Sequence, residues 1–155
     1  MREAPVTERG ETPLVHRGFL DYTQAALFTD ALPAYGGRTA GEAIADELRA
    51  YPDAQIYLTG HSLGGAAAVL AAARLSDLGV SPEQLIVTTF GAPAVGNAAF
   101  ARRYEGKFTL RRVVMSGDPM KDILAKPLGF QQFGERVTWS PARSVAKFPH
   151  AMIVY

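Results

Sequence analysis

Ser62 stands at the centre of Gly60-His-Ser-Leu-Gly64, a Gly-x-Ser-x-Gly pattern that turns a strand sharply into a helix and lifts the serine hydroxyl clear of the sheet. Side chains two positions to either side are expected to collide in so tight a turn, which accounts for glycine at 60 and 64. The N–H of Leu63 falls at the N-terminus of the following helix, where the helix dipole favours a developing oxyanion. A serine in that setting is a nucleophile for acyl transfer when an imidazole takes its proton and a carboxylate orients the imidazole.

The chain has three histidines. His61 is the immediate neighbour of Ser62, so its side chain is expected to point elsewhere. His16 precedes the first predicted helix, and His150 follows Pro149 near the end. On scaffolds built around this turn the partners follow in the order Ser, acid, His. His150 obeys that order and the other two do not. The acid belongs on a turn after a later strand, and Asp118 in Ser116-Gly-Asp-Pro119 meets that condition. It would hold the imidazole in the right tautomer, although an Asp there also suits its own turn. Asp122 is the alternative acid. Between acid and base, Leu128, Phe130 and Phe133 are apolar residues of a predicted loop. They either line an acyl pocket or pack beneath the loop.

These residues need a sheet and helices to position them. Gln55-Ile-Tyr-Leu-Thr59 reads as a buried strand leading into the turn, and Leu63 to Leu78 as an Ala-rich helix with Gly79 just past its end. Leu85-Ile-Val-Thr-Thr-Phe90 and Thr109-Leu-Arg-Arg-Val-Val-Met115 read as further strands, with a weaker one at Arg136-Val-Thr-Trp139. A helix is predicted from Asn97 to about Tyr104. Upstream, Asp21 is expected to cap a helix reaching about Ala31. Thr39-Ala-Gly-Glu42 is a capping box for a helix that Pro52 stops. Strands alternating with helices predict an α/β fold with a mostly parallel sheet. Residues 1–13 read as a loose lead-in and 14–155 as one domain, a size that suits 155 residues.

Composition narrows the function classes. Sixteen Lys and Arg against 15 Asp and Glu give a net charge of +1, without the basic runs of a nucleic-acid partner. The absence of cysteine removes disulfides, thiolate zinc sites and thiol catalysis. Residues 1–10 have no apolar core of a signal peptide. The most apolar run, Ala66 to Ala73, is far short of the ~20 residues that span a bilayer, so no transmembrane segment is expected.

Four stretches resemble the class 3 lipases, the group typified by the fungal triacylglycerol lipases. They are Val15-His-Arg-Gly-Phe-Leu20, Thr59-Gly-His-Ser-Leu-Gly-Gly65, Phe90-Gly-Ala-Pro-Ala-Val-Gly-Asn97 with Phe100, and Arg112-Val-Val-Met-Ser-Gly-Asp-Pro119. Gly129-Phe130, Gly134-Glu135 and Trp139 add a looser fifth. The resemblance covers about residues 14–155. It implies an α/β-hydrolase-like fold, with Ser62, Asp118 and His150 matching the family's nucleophile, acid and base. The family's upstream region supplies its first strands, a second oxyanion donor and a lid helix. No stretch here matches that region, so the expected fold is truncated at its N-terminal side.

The resemblance implies hydrolysis of acylglycerols or related lipid esters without metal or organic cofactor, and transient contact with a lipid interface. Phospholipase and acyltransferase chemistry are variants of the same reading. The rival is a degenerate hydrolase domain that serves as a non-catalytic binding module.

Overall fold

The computed structural model describes residues 2–3, 12–121, 123, 129–140 and 150–151. Asp122, Leu128 and residues 152–155 lie outside the described residues. β1 (Arg2–Glu3) pairs antiparallel with β2 (Leu14–Val15), so the expected lead-in begins with a short strand. Val15 is buried, and the His16 N–H donates to the Val95 carbonyl at 2.9 Å. This tether lets α1 (Arg17–Leu27) start directly after His16, earlier than a cap at Asp21 would allow. Asp21 lies inside α1 and pairs with Arg17 at 3.3 Å. The helix also ends earlier than expected. Ala31, the expected end of the helix, instead begins β3 (Ala31–Leu32), paired antiparallel with β4 (Arg38–Thr39).

The capping box forms as the residue types require. Thr39 Oγ1 accepts from the Glu42 N–H at 3.2 Å, and the Glu42 carboxylate accepts from the Thr39 N–H at 2.9 Å. The second of these bonds, with a further one from the Thr39 hydroxyl, holds the Glu42 carboxyl below its ordinary range. It opens α2 (Ala40–Ala50), which buries Gly41, Ala45 and Leu48. The far end of α2 is closed by a side chain distant in sequence. Gln84, 4% exposed, aims its amide nitrogen at the carbonyls of Leu48, Tyr51 and Ala54 at 2.7, 3.0 and 3.0 Å. Carbonyls left over where a helix ends are thereby satisfied inside the protein.

β5 (Ile56–His61) follows, then α3 (Leu63–Asp77), β6 (Leu85–Phe90), α4 (Ala98–Tyr104), β7 (Thr109–Met115) and β8 (Glu135–Trp139). Among the described residues the main sheet has four strands in the order β5-β6-β7-β8, with every neighbouring pair parallel. Strand β6 alternates buried Leu85, Val87 and Thr89 with half-buried Ile86, Thr88 and Phe90. One face is thus turned to the helix side. α3 lies against β5 and β6, and α1 and α2 pack on α3. A helix enclosed on so many sides has to be apolar nearly all round, and nine residues of α3 are buried. Its C-terminus closes as a Schellman motif: Gly79 at φ +88° donates to Ser76, and Val80 donates to Leu75. No described helix is long and apolar enough to cross a membrane.

Two polar side chains lock α4 in place. Asn97 caps it by accepting from the Phe100 N–H at 3.0 Å, and the same oxygen accepts from the Leu14 N–H at 3.0 Å. At the other end the Tyr104 hydroxyl donates to Asp77 of α3 at 2.8 Å. Burial, with the Asp77 carboxylate beside it, pushes the Tyr104 phenol up to about 12.

Replacing Gln84 with Met keeps the volume and removes the donor; chemical denaturation should show a loss of about 1–3 kcal/mol. The raised phenol favours the folded state while Tyr104 is neutral. Its contribution is complete below the unfolded value near pH 10 and declines as the pH climbs through about 12. Tyr104→Phe should therefore flatten the alkaline arm of the stability–pH curve in a comparison with the unsubstituted protein.

Candidate active site

The turn between β5 and α3 is held by main-chain bonds and by missing side chains. The Ser62 N–H donates to the Phe90 carbonyl at 3.0 Å, and the Ser62 carbonyl receives the first helical bond of α3 from Ala66. Ser62 sits at φ 53°, ψ −122°, and among the described residues it is the non-glycine with positive φ. Such a backbone costs of the order of 1–3 kcal/mol and persists only where its surroundings enforce it. A Cβ at Gly60 would lie 2.3 Å from the Gly64 carbonyl carbon and oxygen and 2.6 Å from the Gly65 nitrogen. A Cβ at Gly65 would lie 2.7 Å from Ala92 Cβ and 2.9 Å from the Gly60 carbonyl oxygen. At Gly64, however, a Cβ would meet nothing within 4 Å. The steric expectation for the turn therefore holds at 60, fails at 64, and belongs instead to 65. The helix rotates residue 64 outward and residue 65 inward onto the sheet.

Asp118 and His150 come to the same place. Asp118 follows β7 and is 1% exposed. Its Oδ1 accepts from the Met120 N–H at 2.8 Å, and its Oδ2 lies 2.8 Å from His150 Nδ1. An ionised carboxylate only accepts, so Nδ1 carries the proton. The other imidazole nitrogen, Nε2, is 2.9 Å from Ser62 Oγ. With Nδ1 protonated, Nε2 offers a lone pair to the serine hydroxyl. A hydrogen-bonded order of carboxylate, imidazole and hydroxyl thus runs through three segments far apart in sequence. Asp118 also serves its own turn, through the bond that its Oδ1 accepts from the Met120 N–H. Leu63 occupies the first position of α3, where a backbone N–H has no acceptor within the helix.

His61, whose side chain is expected to point elsewhere, meets His150. Its Nε2 is 2.8 Å from the His150 carbonyl oxygen, and the two imidazole centroids are 4.8 Å apart at 32°. No sequence rule points to this contact, because it depends on where a residue 89 positions later returns.

The Lipase (class 3) family model matches residues 2–126 of the chain. The chain belongs to the class 3 lipases. This class 3 lipase chain is 35% identical to a lipase of Rhizomucor miehei over 127 residues, covering 78% of the chain and 31% of that protein. The lipase structure from Rhizopus microsporus var. chinensis superposes with a TM-score of 0.67 at 30% identity, covering 88% of this chain and 45% of that one. A triacylglycerol lipase whose catalytic centre is described as a serine protease triad superposes with a TM-score of 0.63 at 30% identity, covering 88% and 49%. The chain spans about a third of the length of that curated relative and about half of each solved lipase. Its parallel sheet and flanking helices are those of the α/β-hydrolase fold.

Two of the residues read as an acyl-pocket lining are interior packing in this class 3 lipase chain. Phe133 sets its ring edge-on against Phe100 and Phe108, with centroids 6.1 and 5.9 Å away. Phe130 is buried where its backbone bridges to Asn97. Both meet α4 or its cap: Phe133 packs on Phe100 of α4, and Phe130 bridges to the capping residue Asn97.

The glycine geometry separates two substitutions that the motif treats alike. Gly64→Ala should change thermal stability by about 1 kcal/mol or less, since the site is open and Ala is the better helix former. Gly60→Ala should cost about 3 kcal/mol or more, because backbone and not a movable side chain occupies the space. Thermal melts of the two variants check the contrast.

Proposed function

We propose that the chain carries a serine ester hydrolase site of the lipase type, which hydrolyses acylglycerols or related lipid esters through an acyl-enzyme. The observation that carries this reading is the pair of hydrogen bonds joining Ser62 Oγ to His150 Nε2 and His150 Nδ1 to Asp118, at 2.9 and 2.8 Å. Ser62 attacks the ester carbonyl as His150 takes its proton, and the resulting imidazolium is stabilised by Asp118. The N–H of Leu63, at the positive end of α3, stabilises the oxyanion. His150 returns the proton to the departing alcohol. Water, deprotonated by the same imidazole, then releases the carboxylic acid and restores Ser62.

The substrate class comes from similarity to the Rhizomucor miehei lipase and to the triacylglycerol lipase with the serine triad. The Leu63 side chain, exposed beside Ser62, offers an acyl chain an apolar surface, which suits transient contact with a lipid interface.

A fluorophosphonate probe should label the folded chain on Ser62. Ser62→Ala should abolish labelling, and Asp118→Asn should slow it by about 10⁴-fold, as expected when the imidazole loses its orienting carboxylate. An unlabelled folded chain, or equal labelling of Ser62→Ala, would leave the non-catalytic binding module as the reading. Hydrolysis of short against long acyl esters and of acylglycerol against phospholipid then defines the substrate.

A further inference from the structure

We propose that His61 is a positioning residue: its imidazole holds the main chain of His150 over Ser62, and the rate of serine acylation depends on that hold. The inference rests on the hydrolase reading and adds to it a role for the side chain of His61, which acts through His150.

The hydrogen bond has one direction. A backbone carbonyl only accepts, so His61 donates from Nε2 to the His150 oxygen at 2.8 Å. The donor is well anchored. His61 is the last residue of β5, in register with Phe90 of β6, and the next residue, Ser62, donates its own N–H to Phe90. The His61 ring and the Ser62 hydroxyl are therefore carried by adjacent residues at one anchored strand end.

His150 is positioned through its ring by Asp118 and Ser62. Two bonds at opposite ring nitrogens set the ring's reach but leave it free to rock about the line joining them. A third bond, to the backbone of the same residue, restrains that rotation. The tilted packing of the two imidazoles, 4.8 Å between centroids, limits it from the side. The three bonds hold Nε2 on the serine hydroxyl. A displacement of about 1 Å at such a point costs up to 10²-fold in rate.

The test uses the full chain and a fluorophosphonate probe, with the maximal acylation rate and the half-saturating probe concentration measured separately. His61→Phe keeps a ring against His150 and removes the donor. It should slow maximal acylation about tenfold or more at a nearly unchanged half-saturating concentration. His61→Gln places an amide N–H the same number of bonds from the backbone and should recover most of the rate. Both variants should melt close to the unsubstituted protein. Acylation by His61→Phe at the unsubstituted rate, or no recovery in His61→Gln, would overturn the proposal. So would imidazole ¹⁵N NMR showing His61 protonated on Nδ1 with Nε2 bare, a readout that needs no activity. A folded chain that the probe never labels sinks the hydrolase reading itself, and the positioning role with it.

Discussion

The close approach of α3's first turn to the ends of β5 and β6 is the contact on which the rest of the site depends. Gly60 and Gly65 face each other across a space with no room for a Cβ, and Ala92 closes it from the β6 side. With helix and strand this near, the single residue that bridges them has to bend into a conformation that L-residues avoid, and Ser62 does so. The strain is sustained by what surrounds it. α3 is among the most buried elements, and the Ser62 N–H is bonded to Phe90 of the neighbouring strand. Relaxing the serine would require lifting a well-packed helix off the sheet, which costs far more than the strain.

That one turn sets where every partner has to arrive. The hydroxyl emerges at the C-terminal edge of a parallel sheet, so the loops after β6 and β7 open toward the same edge. The loop after β7 presents a buried Asp118 whose two oxygens divide their work, one stabilising the turn through Met120 and the other meeting His150. A carboxylate this buried needs several donors to remain an acceptor, and the turn supplies one that does not depend on the imidazole. The loop after β6 contributes packing: Ala92 sits against the elbow, Val95 tethers α1, and Asn97 caps α4 while binding the strand before α1.

What could be read in the amino-acid order followed how local each cause is. The β5-turn-α3 unit, the capping box at Thr39 and the Schellman end at Gly79 are short-range devices, and their residue types announce them. The start of α1 is not local. Asp21 is the better cap by type, but a main-chain bond between His16 and Val95 decides the start. Gln84 likewise looks like an ordinary polar residue before a strand, and its service to the end of α2 depends on two elements meeting in space. Phe130 and Phe133 look suited to a pocket because loop aromatics often line one. Both are buried beside α4, Phe133 against Phe100 and Phe130 bridged to Asn97, and they become core. Order along the chain was enough to bring Ser62, Asp118 and His150 together, since the topology of a parallel sheet permits few arrangements.

His61 escapes notice in a motif defined by Gly, Ser and Gly for a similar cause. Its position in the pattern carries no steric requirement, so the rule leaves it open. Yet His61 is the last residue of β5, in register with Phe90, so its direction is fixed by the sheet. A side chain there projects from the strand end beside the hydroxyl, into the region where a returning base must lie. An apolar residue at 61 could pack on the imidazole of His150 but could not bond its carbonyl. A lysine could bond it, at the expense of placing a fixed cation beside a group that must itself become positive. A neutral imidazole donates one hydrogen bond without that charge. On the proposed reading, residue 61 answers to the electrostatics of the site and not to the turn that contains it.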